Sequence, residues 1–90
     1  MSEHHLLLYT YPEDILERRG PYRDEHLRRI RVEQDAARIL MAGAFGDPVS
    51  GGAIVWKGAT ADEIEAFVQG DPYLEAGLIV SYRIEPWTLV

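Results

Sequence analysis
The sequence predicts an α+β sandwich, a four-stranded antiparallel sheet with two helices laid across it in the order βαββαβ. Three observations predict it. Apolar and aromatic residues gather in four short runs bounded by Gly, Pro, Asp and Ser, as strands do. Two longer stretches carry apolar residues at helical spacing, and the second opens on a capping box. The chain has 90 residues, which suits one domain over residues 1–90 with a modest core. This element order is that of the ferredoxin-like sandwich.

The elements follow in turn. His5–Tyr11 alternates His5, Leu7, Tyr9 and Tyr11 with Leu6 and Leu8 and stops at Pro12, so it reads as a strand. Glu13–Arg19 is a short helical or irregular stretch closed by Gly20-Pro21. Tyr22 to about Arg38 reads as the first helix. Ile39–Phe45, in which Ile39, Met41 and Phe45 alternate with Leu40, Ala42 and Ala44, and Ala53–Lys57 read as strands, joined into a hairpin by the turn-rich run Gly46–Gly52. In Thr60-Ala61-Asp62-Glu63 the Thr60 hydroxyl and the Glu63 carboxylate can each bond the other's backbone amide. The helix that follows carries Ile64, Phe67 and Val68 on one face and ends at Gly70. Leu78–Trp87 is the last strand.

Composition closes off several function classes. With 47% hydrophobic and 27% charged residues the chain is an ordinary globular mixture, not a disordered one. It has no cysteine, which excludes disulfides, thiolate zinc sites and a cysteine nucleophile. His4 and His5 are adjacent on a strand and point to opposite faces, so no metal site is expected. No glycine pattern marks a nucleotide cofactor, and none is expected. No apolar run approaches a membrane span, and the polar start Met1-Ser2-Glu3-His4-His5 is not a signal, so the expected location is cytoplasmic. Nine basic against fifteen acidic residues give a net charge of −6, which opposes nucleic-acid binding. The exception is local, since six arginines lie between Arg18 and Arg31.

Strand patterns carry a further expectation. Both faces of the first three strands are largely apolar, yet two helices can cover only one face of a sheet. A second copy of the chain is the simplest cover, which predicts a homodimer with sheets face to face. In the last strand Leu78, Val80, Tyr82 and Ile84 form an apolar row suited to the helices. The alternate row directs Ser81 and Arg83 toward a cavity between sheets, or simply into solvent.

The first helix sorts its own residues. At 100° per residue, Arg23, His26, Leu27, Ile30, Gln34 and Ala37 share a stripe about 100° wide that must face the core. Asp24, Arg28, Arg31 and Asp35 fall on the far side, so most of the arginine run reads as solvated. Arg23 and His26 then point inward near a helix start, whose free N–H groups suit an anion. A buried structural histidine is the competing reading. Tyr9 and Tyr11 are candidate cavity-lining residues, because their hydroxyls tolerate a wet site.

Several segments in order resemble the YCII-related (YciI-like) family of small bacterial proteins. They are Leu16-Glu17-Arg18-Arg19, Arg23-Asp24-Glu25-His26-Leu27, Leu40-Met41-Ala42-Gly43, Asp71-Pro72-Tyr73-Leu74-Glu75-Ala76-Gly77 and Ile84-Glu85-Pro86-Trp87. The resemblance implies a ferredoxin-like fold that forms a dimeric α+β barrel. It also implies a functional histidine at His26 and a functional aspartate at Asp71. Departures are Ala44, where many relatives have proline, and Gly51-Gly52-Ala53, where relatives often have Gly-Ser. One branch of the family is associated with removing halide from chlorinated aromatic compounds. No residue of this sequence points to that substrate.

An aspartate on one imidazole nitrogen fixes the tautomer and leaves the other nitrogen for acid/base work. Arg19 or Arg23 nearby would hold a carboxylate, enolate or phenolate. The expected function is therefore proton abstraction, isomerisation or elimination on a small anionic or phenolic molecule. Asp71 also reads as the N-cap of a short helix, since Pro72 follows it. The alternative function is a non-catalytic ligand-binding or dimerisation module.

Overall fold
The computed structural model describes residues 3–90; Met1 and Ser2, part of the segment read above for targeting, lie outside them. Four strands, β1 (His4–Thr10), β2 (Ile39–Phe45), β3 (Gly51–Lys57) and β4 (Ser81–Trp87), form one sheet in the order β2-β3-β1-β4. Every neighbouring pair is antiparallel, with Leu7 opposite Ile54 on one side and Ile84 on the other. Strands paired in this order, with helices on the connections, are the α+β sandwich that the residue pattern predicts.

The pleat divides the sheet into two unlike faces. Leu7 and Tyr9 of β1, Ile54 and Trp56 of β3 and Ile39 of β2 are buried under the helices. Leu6 and Leu8 with Ala53 and Val55 occupy the other face and are only half-buried. In β2 a bulge between Ile39 and Met41 changes the expected alternation. Ile39 faces the helices together with Ala42 and Ala44, while Met41, Gly43 and Phe45 face away. One extra residue, Leu40, is what shifts the row.

The helices begin and end differently from the expectation. Helix α1 (Ile15–Arg18) is a single turn, and α2 spans Gly20–Asp35. Gly20-Pro21 therefore opens α2 instead of closing the stretch before it. Proline lacks the N–H that a first turn leaves unbonded, and its fixed φ is helical. The other end stops short of Arg38 because Ala37 turns left-handed, at φ 60°. The Arg38 amide then bonds back to the Glu33 carbonyl at 2.9 Å.

Helix α3 (Ala61–Gln69) starts on the capping box read from the sequence. The Glu63 amide reaches the Thr60 hydroxyl at 3.1 Å, and the Thr60 amide reaches Glu63 at 2.9 Å. Its apolar face presses Phe67 edge-on against Trp56, with ring centres 5.0 Å apart. Arg29 of α2 locks the two long helices together. Its guanidinium donates to the Phe67 carbonyl at 2.8 Å and lies 4.5 Å from the Phe67 ring centre.

After α3 the chain makes one more turn, α4 (Pro72–Glu75), capped by Asp71. The last strand begins at Ser81, later than the expected Leu78. Leu78 and Ile79 are both buried in the approach to it, and Val80 is 65% exposed, so the alternating row does not extend to residue 78. The left-handed Gly77 redirects the chain, and the Leu78 amide is tied to the Tyr73 carbonyl at 2.8 Å. No helix among the described residues is long and apolar enough to cross a membrane.

Candidate functional site
The fold delivers His26 and Asp71 from distant parts of the chain to one buried point. His26 lies on the core stripe of α2, and Asp71 stands where α3 ends and α4 begins. Their exposures are 6% and 1%, which makes them the buried polar pair of the described residues. His26 Nδ1 is 3.0 Å from both carboxylate oxygens of Asp71. A buried carboxylate needs a full set of donors. Tyr9 donates its hydroxyl at 3.0 Å, and the Tyr73 amide donates at 2.9 Å as the α4 cap. Capping and pairing, the two readings of Asp71, coexist on one carboxylate.

Tyr73 does more than present its amide. Its ring stacks flat on the His26 imidazole, with centres 3.8 Å apart and planes 5° apart. Stacking and the Nδ1 contact together fix the imidazole plane. Nε2 is left with no hydrogen-bond partner among the described residues. It belongs to a side chain that lines an open cleft of about 390 Å³.

The cleft lies between α2 and the β2–β3 half of the sheet, on the helix-covered face. Arg19, Arg23 and Tyr11 line it beside His26, and Leu27, Ile30, Ala42 and Ile54 make its apolar stretch. Gly52 keeps the floor low. A Cβ there would stand 2.7 Å from the Tyr11 hydroxyl, so the phenol occupies the space a side chain at 52 would take. The departure Gly51-Gly52 noted in the sequence is thus coupled to Tyr11.

The three phenols around the pair are held in their protonated form. Burial pushes Tyr9 well above its ordinary range, and the adjacent Asp71 carboxylate pushes it further. Burial raises Tyr11 too, followed by Tyr73 and Asp71, against the opposing pull of Arg19 and Arg23. Tyr73 is raised by burial while Arg23 and Arg19 pull it down. None is a phenolate here, and Tyr9 donates its hydroxyl to Asp71. Among the described residues no three His, Asp or Glu side chains are gathered to hold a metal ion.

The residues singled out from sequence separate into two groups. His26, Asp71, Arg19, Arg23, Tyr9 and Tyr11 come together, although Tyr9 stands behind Asp71 and is 2% exposed. Ser81 and Arg83 do not join them. They are exposed on the opposite face of the sheet, where Arg83 meets Glu85 at 3.8 Å. Sequence reasoning missed two features. Arg31, read as solvated, reaches the mouth of the cleft, because it sits just beyond the edge of the core stripe and its side chain is long. The stacking of Tyr73 on His26 had no spacing signal, since 47 positions separate them.

Comparison with known proteins bears on this geometry. Protein YciI of Escherichia coli O6:H1 is 28% identical over 86 residues, covering 86% of this chain and 88% of that protein. Protein YciI of Shigella flexneri matches to the same extent, 28% over 86 residues. A solved structure of 5-chloro-2-hydroxyhydroquinone dehydrochlorinase (TftG) from Burkholderia phenoliruptrix AC1100, in complex with 2,5-dihydroxybenzoquinone, has a similar fold. Its TM-score is 0.81 at 22% identity, over 97% of this chain and 95% of that one. The model of the YCII-related domain matches residues 4–88, from the first strand to the end of the last, and the chain belongs to that family.

Proposed function
We propose that the protein is a small-molecule enzyme in which His26 is the general acid/base. Asp71 orients it, and Arg19 and Arg23 hold the anionic or phenolic group of the substrate. The observation that carries this reading is the buried His26–Asp71 contact at 3.0 Å, placed at the wall of an open cleft with arginines beside it. Asp71 fixes Nδ1, so Nε2 is the nitrogen that takes or gives the proton. A guanidinium stabilises the enolate or phenolate that proton abstraction produces. The reaction class is proton abstraction with isomerisation or elimination. Acyl transfer is disfavoured, since the chain has no cysteine and no serine among the described residues lines the cleft. The shared fold of a dehydrochlorinase solved with a dihydroxybenzoquinone supports a small-molecule reading.

The test is a panel of small carboxylates and phenols, followed by NMR for shifts of the His26 ring and by absorbance for turnover. A substrate is expected to shift His26 and to be turned over. His26→Gln is expected to lower the turnover rate by roughly 10²–10⁴-fold with binding retained. Ligands that bind and are never transformed would favour the alternative, a non-catalytic binding module.

We also infer a homodimer in which the helix-free sheet faces pack together. Support comes from Met41 and Phe45, 64% and 47% exposed on that face, alongside the half-buried Leu8 and Val55. Light scattering is expected to give twice the chain mass of 10.2 kDa. Val55→Asp, a charge at the centre of that face, is expected to give monomers. A monomeric native protein would remove this inference.

A further inference from the structure
The arginines of this chain are of two kinds. Arg18, Arg28, Arg38 and Arg83 each pair with a carboxylate. Arg29 is spent on the Phe67 carbonyl and ring. The remaining three, Arg19, Arg23 and Arg31, form no ion pair among the described residues, and all three line the His26 cleft. In a chain with fifteen acidic residues, the arginines left without a carboxylate among the described residues are gathered around one cavity.

They are not gathered at one point. Arg19 and Arg23 stand at the start of α2, and Arg31 stands two turns further on. At 1.5 Å per residue, Arg23 and Arg31 are about 12 Å apart along the helix axis, with His26 between them. The wall between the two ends is apolar, made by Leu27, Ile30 and Ile54. Gly43 contributes only backbone to the floor, since its side-chain position faces the other side of the sheet. An uncharged ligand would leave both cationic ends without a counter-charge. A monoanion would neutralise only one.

We propose that the cleft takes a dianionic small molecule, two anionic groups joined by an apolar or planar middle. One group lies on Arg19 and Arg23 beside His26. The other lies on Arg31, which sets specificity for the second charge. This rests on the reading of the cleft as a substrate site, and it adds the class of substrate. Arg31 does not touch the reacting atoms in this arrangement, so its replacement leaves the acid/base pair intact.

Matched probes test it, namely hexanedioate against hexanoate and benzene-1,4-dicarboxylate against benzoate, by calorimetry at one ionic strength. At least one dianion is expected to bind about tenfold tighter than its monoanion. Arg31→Gln is expected to remove that advantage and leave monoanion binding unchanged, and Arg31→Lys to restore part of it. Equal affinities within both pairs, an Arg31→Gln effect equal on both charges, or no dianion binding would each overturn the proposal. His26 ring shifts in the same samples separate the two readings. Arg31-dependent dianion binding that leaves His26 unmoved keeps the ligand class and removes the acid/base role. Binding that shifts His26 and ignores Arg31 does the reverse.

Discussion
Asp71→Ala is expected to destabilise the protein by about 3–5 kcal/mol, because one carboxylate satisfies three buried donors. Its removal strands His26 Nδ1, the Tyr9 hydroxyl and the Tyr73 amide, the last of which caps α4. Asp71 is 1% exposed, so no bulk water replaces the lost acceptor. The imidazole is expected to lose its fixed tautomer as well, which ¹⁵N NMR of His26 reads directly. Asp71→Asn is expected to fall between Ala and native. The amide oxygen still caps Tyr73, but Tyr9 and His26 then compete for what remains of its acceptor capacity. The shift in the midpoint of urea unfolding measures both variants. A loss under about 1 kcal/mol for Asp71→Ala would mean that the carboxylate does not organise this site.

Trp56→Ala is expected to cost about 3–5 kcal/mol through the cavity it leaves. Trp56 is 0% exposed near the end of β3 and holds α3 against the sheet through Phe67. The same unfolding measurement distinguishes shape from hydrogen bonding at this position. The indole Nε1 has no hydrogen-bond partner among the described residues, so Trp56→Phe removes no bond and is expected to cost only a fraction of the Ala loss. Comparable losses for Phe and Ala would contradict a purely packing role. The end of α3 also delivers Asp71, so loosening Trp56 is expected to disturb the His26 resonance at a distance.

Much of this was written in local residue order. Period-two runs marked β1 and β2, and the Thr60–Glu63 box marked the start of α3 to the residue. The stripe from Arg23 to Gln34 placed His26 on the inner face of α2 without reference to any other segment. The misreadings came from backbone events that local patterns do not encode. A single-residue bulge at Leu40 exchanged the two rows of β2, and a left-handed Gly77 delayed β4 to Ser81. In the sequence Gly20-Pro21 reads as a stop because the same dipeptide serves both to end a segment and to begin a helix.

By itself the sequence determined the elements, their order, the inward face of α2 and an apolar surplus on the sheet. These depend on spacing along the chain, which a helix or strand converts directly into a face. Only the tertiary structure decided that Tyr9 and the Tyr73 amide both serve Asp71, or that Tyr73 stacks on His26. It alone showed that, among the described residues, three of eight arginines are left without a carboxylate around one cleft, and that Ser81 and Arg83 lie across the sheet from it. Those facts depend on which segments meet in space. Hydrogen-bond donors and charges act over a few ångströms, and residues tens of positions apart come within that range only once the sheet order and helix packing are set.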